Sequence, residues 1–306
     1  MATPVKKKPL MQRRGSDAKT RLLQKIVNEA KSMQGTDGRL SVAEFIRQYY
    51  GGVSSEDLRQ RRSADLAGAA LSHLTLSRSR RKNQIKVKVY NPTVGKDGWT
   101  SQHSVMQIVT DDRPFLVDSL GAAINSLGYS VHLTVHPILR VQREKRGALQ
   151  RLLANDETSA ELLVESHIQI EFDRVTDKDA LGELRDHAER VLKDVCHATD
   201  DWRDMRKKAV TIREQMVGTK PKGTAQADVD EACAMLDWMV DEHFTFLGYR
   251  EYVLKRKASK TVLMPVDKSG LGILRGTGQA VHSSEHSGLE RAIRRELRTS
   301  DCLAAP

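Results

Sequence analysis

Apolar positions along the chain change period several times, and each change marks an element. Leu22, Leu23, Ile26, Val27 and Ala30 recur at helical spacing behind Ser16, which can cap a first turn, and Gly35 and Gly38 end the run. Val42, Phe45, Ile46, Tyr49 and Tyr50 mark a second helix that stops at Gly51-Gly52. Ser54 with Asp57 three residues on resembles a capping box, and it opens a third helix through Leu58, Leu66, Ala70 and Leu74. The cluster Arg78, Arg80, Arg81 and Lys82 ends that helix. Residues 16–83 therefore read as a helical subdomain. Residues 1–15 are basic and poor in apolar side chains, and read as a disordered arm.

At residue 84 the period falls to 2. Ile85, Val87 and Val89 alternate with Lys86 and Lys88, a half-buried strand, and Asn91-Pro92 breaks it. Val105 to Thr110 is apolar at nearly every position, as a strand buried on both faces is. Asp111-Asp112-Arg113-Pro114 then turns into a helix, with an aspartate as cap and proline in the first turn. That helix carries Phe115, Leu116, Leu120, Ala123, Ile124 and Leu127 and ends at Gly128. Val131, Leu133 and Val135 alternate with His132, Thr134 and His136 in a strand that continues past Pro137 through Ile138 and Leu139. A polar loop spans about residues 142–161. Ile168, Ile170 and Phe172 then share one face of a strand, with His167, Gln169 and Glu171 on the other. A helix through Leu181, Leu184, Val191, Leu192 and Val195 follows, and a further one through Trp202, Met205 and Val210.

The order strand, helix, strand, strand, helix is a split-βαβ, ferredoxin-like pattern lacking a last strand, and the chain is α+β. Either a weak strand near Asp194–Ala198 or the distant Ile85–Val89 strand fills the open edge. Residues 84–217 form this domain with its trailing helix. Gly218-Thr219-Lys220-Pro221-Lys222-Gly223 reads as a linker, residues 218–225. Beyond it come a helix through Val229, Cys233, Leu236, Met239 and Val240, a strand over Phe244–Tyr249 and another from Thr261 to Val266. After Gly276 only one short helix near Leu289–Leu297 is expected, so residues 226–306 hold too few elements to close a sheet.

Charge adds one asymmetry. The net charge of +10 over 306 residues sits in the N-terminal third: residues 1–100 hold 21 Lys and Arg against 8 Asp and Glu, and the other 206 hold 29 against 32. Nucleic acid or an acidic partner fits such a bias, but without aromatic or base-reading context a solvated helical face is the simpler reading. No apolar run reaches the roughly 18 residues of a membrane span. The first fifteen residues lack the apolar stretch of a secretory signal. Cys196, Cys233 and Cys302 are odd in number, far apart and without a CxxC pair. A reducing, cytoplasmic setting is expected.

Several constellations suggest chemistry. Gly270-Leu271-Gly272 with Gly276 reads GxGxxxG, but no apolar helix follows as a dinucleotide site requires, so a loop or turn is expected. His132, His136, His167 and Glu171 lie at spacings that place them on the polar face of a hairpin, where imidazole and carboxylate together bind zinc; an exposed or subunit-facing sheet surface is the alternative. Cys196-His197 has no orienting carboxylate at recognisable spacing. Asp111, Asp112 and Asp118 form an acidic cluster of the kind that holds a divalent cation or acts as general bases, while capping and turn formation explain the first two. The helix start is the best small-molecule candidate: Arg113 and the backbone N–H groups around Phe115, Leu116 and Val117 can receive a carboxylate, beside Asp112.

Asp112-Arg113-Pro114-x-Leu116, a helix, then Leu127-Gly128-Tyr129-Ser130-Val131 resembles an ACT-type regulatory domain. The resemblance implies a ferredoxin-like fold that senses amino acids. ACT domains that bind them usually have glycine after the proline; here Phe115 stands there, and its side chain crowds the approach. A longer series is more specific: Tyr90-Asn91-Pro92, Asp97-Gly98-Trp99, Asp111 to Ser119, His132 to Pro137, Glu165 to Glu171, Asp201-Trp202-Arg203-Asp204-Met205 and Asp241 to Arg250. Seven motifs in this order resemble the N-terminal region of the large bacterial NAD-dependent glutamate dehydrogenases, over most of residues 85–276.

That resemblance implies a regulatory or oligomerisation segment whose parent enzyme oxidises glutamate with NAD. It implies ACT-like domains followed by a PAS-like domain beginning within residues 226–276, with the dehydrogenase domain much further along. None of the family's catalytic lysines or its dinucleotide motif has a matching position here, so no catalytic, cofactor or metal residue is assigned to this chain. The expected partners are other domains or subunits of the same enzyme, in a homo-oligomer, and an amino-acid effector at Asp112–Val117.

Overall fold

The computed structural model describes residues 10–33, 41–154, 157, 162–219, 224–257 and 260–276. Two compact units, Met1–Leu192 and Lys193–Pro306, meet inside a long helix rather than at the glycine-rich stretch around residue 220.

The first unit is organised by β6 (Leu162–Phe172), where every residue from Glu165 to Phe172 is buried. On one side β6 pairs antiparallel with β2 (Ser104–Asp111), in a register that sets Asp111 opposite Glu165 and Ser104 opposite Phe172. On the other side run β3 (Val131–Val135) and β4 (Ile138–Arg143), end to end. They act as one strand bent at His136-Pro137, where the His167 N–H donates to the Pro137 carbonyl at 3.0 Å. β1 (Lys86–Tyr90) pairs with β2 at one edge, and β5 (Leu149–Leu153) with β4 at the other. The order β1-β2-β6-β3/β4 is the ferredoxin-like one. Of the two candidates for its edge strand, the Ile85–Val89 segment fills the place. Asp194–Ala198 is helical instead.

Four other expectations are corrected. β5 lies within the stretch read as loop, because its charged neighbours hide a short strand whose register is set by β4. The two helices expected between residues 181 and 210 are one, α7 (Lys178–Gly218), since no proline or glycine interrupts residues 183–217. The first helix, α1 (Leu10–Met33), starts six residues before Ser16, so residues 10–15, placed in the disordered arm, are helical; Leu, Met and Arg are good helix formers. The third helix is two: α3 (Ser55–Arg59) and α4 (Ser63–Ser77). They separate at Gln60–Arg62, where Arg61 turns aside to donate to Glu171 on β6 at 2.8 and 3.0 Å. Ser54 caps α3 as expected, accepting the Asp57 N–H at 3.1 Å, while its own hydroxyl donates to the Asp57 carboxylate.

α1, α2 (Val42–Tyr49) and α4 form a layer whose apolar stripes join the face of the sheet carrying Leu133, Val135, Leu139 and Val141 in one core. The remaining helices of the unit are α3, short α5 (Val94–Asp97), α6 (Leu116–Ser126) and the start of α7. Gly68 of α4 permits a close approach to Trp99: a Cβ there would sit 2.4 Å from the Cβ of Trp99, which is only 2% exposed.

The second unit begins at Lys193 on α7. It continues with α8 (Gln226–Trp238), which runs into a wide turn over Met239–His243. Two small antiparallel pairs follow: β7 (Gly248–Tyr249) with β10 (Leu271–Gly272), and β8 (Tyr252–Lys257) with β9 (Lys260–Pro265). The strand expected over Phe244–Tyr249 is thus confined to its last two residues. The expected helix near Leu289–Leu297 and Cys302 lie outside the described residues.

Gly68→Ala forces Trp99 or α4 to move. It is expected to destabilise the chain by about 1–3 kcal/mol, the usual cost of overpacking, measured by urea unfolding.

Candidate functional site

The polar face of β6, expected to be a zinc site or an exposed or subunit-facing surface, is buried beneath the helical layer. Alternation places Glu165, His167, Gln169 and Glu171 on that face, and all four side chains are buried. Glu165, Gln169 and Glu171 have hydrogen-bond partners that only the fold supplies, while among the described residues neither ring nitrogen of His167 makes a hydrogen bond and Nε2 lies 3.4 Å from Glu165. Glu165 sits between two guanidinium groups: Arg80 donates to its Oε1 at 2.8 Å, and Arg143 donates to Oε1 at 2.7 and to Oε2 at 2.8 Å. Arg80 also bonds Asp111 and the Gln84 carbonyl, and Arg143 the carbonyls of Ser77 and Gly147. Arg80, one of the four cations thought to close a surface helix, is 0% exposed.

Further along, the Tyr49 hydroxyl lies 2.8 Å from Nδ1 of His73 and 3.2 Å from the Gln169 carbonyl oxygen. Nε2 of His73 lies 3.0 Å from the Ile108 carbonyl, which can only accept; Nε2 therefore carries the proton and Nδ1 accepts. Gln107 donates to Gln169 at 2.8 Å and to the Ala69 carbonyl at 3.0 Å.

These surroundings decide the charge states. Burial pushes the Glu165 carboxyl up, but the Arg143 hydrogen bonds, the His167 contact and the charges of Arg143 and Arg80 outweigh it and bring it down to about 2. Burial holds His73 well below the usual imidazole range, and the neighbouring His167 adds to this. Burial likewise lowers His167.

The residues proposed for a zinc face are not brought together. His132 occupies an irregularity of β3 and contacts Asp173 at 2.7 Å, with its ring stacked on His103. His136 meets the Ser166 hydroxyl, His167 lies in the core beside Phe45, and Glu171 holds Arg61. Among the described residues no group of three or more His, Cys, Asp or Glu could hold a metal. No helix among them is long and apolar enough to cross a membrane.

The Asp112–Val117 turn lies at the end of β2 beside this seam. Asp111 points into it, accepting from Arg80 and from the Asn83 N–H. Asp112 points the other way and accepts from the Ser166 hydroxyl at 2.7 Å, while its N–H donates to Val164. Neither aspartate caps α6, contrary to expectation, because both are committed to the strand end. The cap position is Phe115, without a side-chain hydrogen bond to the helix. Phe115 has φ 69° and ψ 2°, in the left-handed region that glycine adopts without cost, and its side chain is 51% exposed. Leu116 is buried in the core, Arg113 and Val117 are half-buried, and Asp118 is exposed. Of the five candidate residues, Leu116 thus presents only its backbone.

In the second unit the glycine motif forms a turn, as expected. A Cβ on Gly270 would lie 2.1 Å from the Leu274 carbonyl oxygen. The Gly272 N–H donates to Asp201 on α7 at 2.8 Å, and Arg275 holds the same carboxylate. Burial would raise the Asp201 carboxyl, but the Arg275 and Gly272 hydrogen bonds hold it below its usual range.

With this geometry in place, comparison with known proteins is informative. Residues 45–188, which run from within α2 through α3, α4 and the sheet, match the family described as glutamate dehydrogenase, ACT1 domain. The chain is 34% identical over 259 residues to the NAD-specific glutamate dehydrogenase of Halomonas elongata, covering 85% of this chain and 16% of that one. It is 33% identical over 234 residues to that of Pseudomonas aeruginosa, covering 76% and 14%. For Mycobacterium tuberculosis the match is 22% over 205 residues, covering 67% and 12%. The chain thus spans about one sixth or less of the length of the curated relatives it matches.

Two outcomes test the site. The Glu165 carboxyl is lower in the folded chain than in the unfolded one, so the stability it contributes is present above about pH 4.5 and is lost as pH falls towards 2. Glu165→Gln is expected to flatten that acid limb and to cost about 3–5 kcal/mol at neutral pH, because Arg80 and Arg143 are left buried without their carboxylate. Unfolding followed from pH 7 to 2 checks both. Phe115→Gly is expected to exceed Phe115→Ala in stability by about 1 kcal/mol, since only glycine relieves the left-handed backbone; equal stabilities would remove the strain.

Proposed function

Because residues 45–188 make this chain a member of the glutamate dehydrogenase ACT1 domain family, we propose that it is a regulatory and assembly segment of a large NAD-dependent glutamate dehydrogenase. The parent reaction is oxidative deamination of glutamate with NAD to 2-oxoglutarate, ammonia and NADH. This segment is not catalytic by itself and biases how the enzyme's domains and subunits are arranged. Residues 84–217 act as its ACT-like domain with trailing helix, and residues 226–306 as the start of a PAS-like domain. The setting is cytoplasmic and the enzyme a homo-oligomer.

The observation that supports assembly is the exposure of large apolar side chains in residues 193–276. Trp202 and Val217 on α7, Met235 and Trp238 on α8, and Phe244 and Leu247 after the wide turn are 41–62% exposed. Their partners are other parts of the same enzyme, since covering such surface is favourable by roughly 25 cal/mol per Å².

A second reading has its own support. The first turn of α6 has no side-chain cap, and Arg113 is beside it, so a small amino-acid effector fits there by its carboxylate. Phe115 at the approach favours a scaffold over a sensor.

Light scattering and binding of a hydrophobic dye test assembly. The chain is expected to bind dye and to associate, and the double substitution Trp238→Ser, Leu247→Ser to reduce both while changing stability by less than about 1 kcal/mol. A monomeric chain that ignores the dye sinks the assembly reading. A saturable rise in Tm with one amino acid, lost in Arg113→Ala, establishes the sensor instead.

A further inference from the structure

The cationic excess of the N-terminal third is not used evenly. Arg61 is neutralised by Glu171, and Arg80 by Glu165 and Asp111. Lys86, Lys88 and Lys96 instead line one open groove of about 730 Å³, between α4, the edge strand β1 and α5, where Asp97 is the one carboxylate in the lining among the described residues.

Two of these ammonium groups are held in place by the fold. Lys86 Nζ donates to the carbonyls of Leu76 and Ser79 at 2.7 and 2.8 Å, beyond the last turn of α4, where the helix dipole favours a cation. An ammonium has three donors, so one remains for a ligand. Lys88 Nζ lies 3.3 Å from the Ser72 hydroxyl, 3.8 Å from Asp97 and 3.6 Å above the Tyr90 ring. Lys96 is exposed at the groove mouth, and Leu71 supplies apolar lining.

We propose that this groove binds a small organic dianion, a phosphomonoester or a dicarboxylate, with its negative groups on Lys86, Lys88 and Lys96 and its apolar part against Leu71. Among the described residues, three cations against one carboxylate leave a charge of +2 to be matched. The volume lies within the roughly 300–1,000 Å³ of small-molecule sites. Burial lowers both Lys86 and Lys88 from their ordinary values, so an arriving anion also relieves the cost of keeping them charged. The site is separate from the Asp112–Val117 turn and stands whether or not that turn takes an effector.

The test uses the 306-residue chain with AMP, 2-oxoglutarate and inorganic phosphate as probes, against sodium chloride of matched ionic strength, read by thermal shift and titration calorimetry. AMP or 2-oxoglutarate is expected to raise Tm saturably beyond the chloride control; which of them does so distinguishes a phosphate from a dicarboxylate ligand. Lys88→Met and Lys96→Met are each expected to weaken half-saturation about tenfold or more, the loss of one charge-assisted contact. Lys96 is exposed, so its variant keeps the fold and the test readable. Arg113→Ala is expected to leave binding unchanged. No shift beyond chloride, an equal shift in both lysine variants, or loss of the shift in Arg113→Ala overturns the proposal. So does a response to phosphate alone that persists in the variants, or strongly salt-dependent binding of an oligonucleotide that AMP does not displace.

Discussion

One carboxylate, Glu165, ties the first unit together. Its side chain has no exposure, and taking a carboxylate and two guanidinium groups out of water costs several kcal/mol per ion unless they meet in good geometry. The geometry requires three separate pieces of chain to converge. Arg80 comes from the segment after α4, Arg143 from the end of β4, and Glu165 from the centre of the sheet. Arg143 reaches further, to the carbonyls of Ser77 and Gly147, and the Arg80 N–H itself donates to Gly147. The helical layer, the β4–β5 hairpin and β6 are therefore positioned by the same charges. An ion pair of this kind contributes less to net stability than to the choice of a single arrangement, since a misplaced layer would bury unpaired charge.

The rest of the β6 face extends the same logic. Gln169, Gln107, Tyr49 and His73 lie in one line of polar contacts between sheet and helices, and Arg61 leaves the helical path to reach Glu171. Amphipathic helices alone could slide on an apolar sheet. Directional bonds at Glu165, Gln169 and Glu171 of β6 fix where they sit. This explains why the family match begins in α2, well before the sheet: the helices complete the sheet's core.

The seam also reaches the candidate effector turn. Asp111 and Asp112 are adjacent, yet one faces the buried arginines and the other Ser166 and His136 on the opposite side of the sheet. A ligand or neighbouring domain that moved this turn would pull on both sides at once. Couplings between sites are typically about 1–3 kcal/mol, comparable to one such contact. The lysine groove lies on the other edge of the same layer, so α4 borders both the seam and the groove.

Much of the fold was legible in one chain's residue pattern. The period change at residue 84, the doubly buried β2, Gly128 after α6 and the alternation of β6 all correspond to observed elements, because hydrophobic spacing reports local geometry directly. Two of the candidate residues also stood out: Phe115 where glycine is usual, and Arg113 beside an open helix start. What stayed hidden was every feature set by pairing across long separations. β5 exists because β4 offers it an edge, α3 and α4 part because Arg61 has a partner 110 residues away, and the alternating His167, Gln169 and Glu171 give no sign of whether their face meets water or a second layer. A sequence states which side chains share a face of a strand. Only the tertiary structure decides what covers that face, because that depends on whether distant residues of complementary charge and shape arrive to make burial affordable.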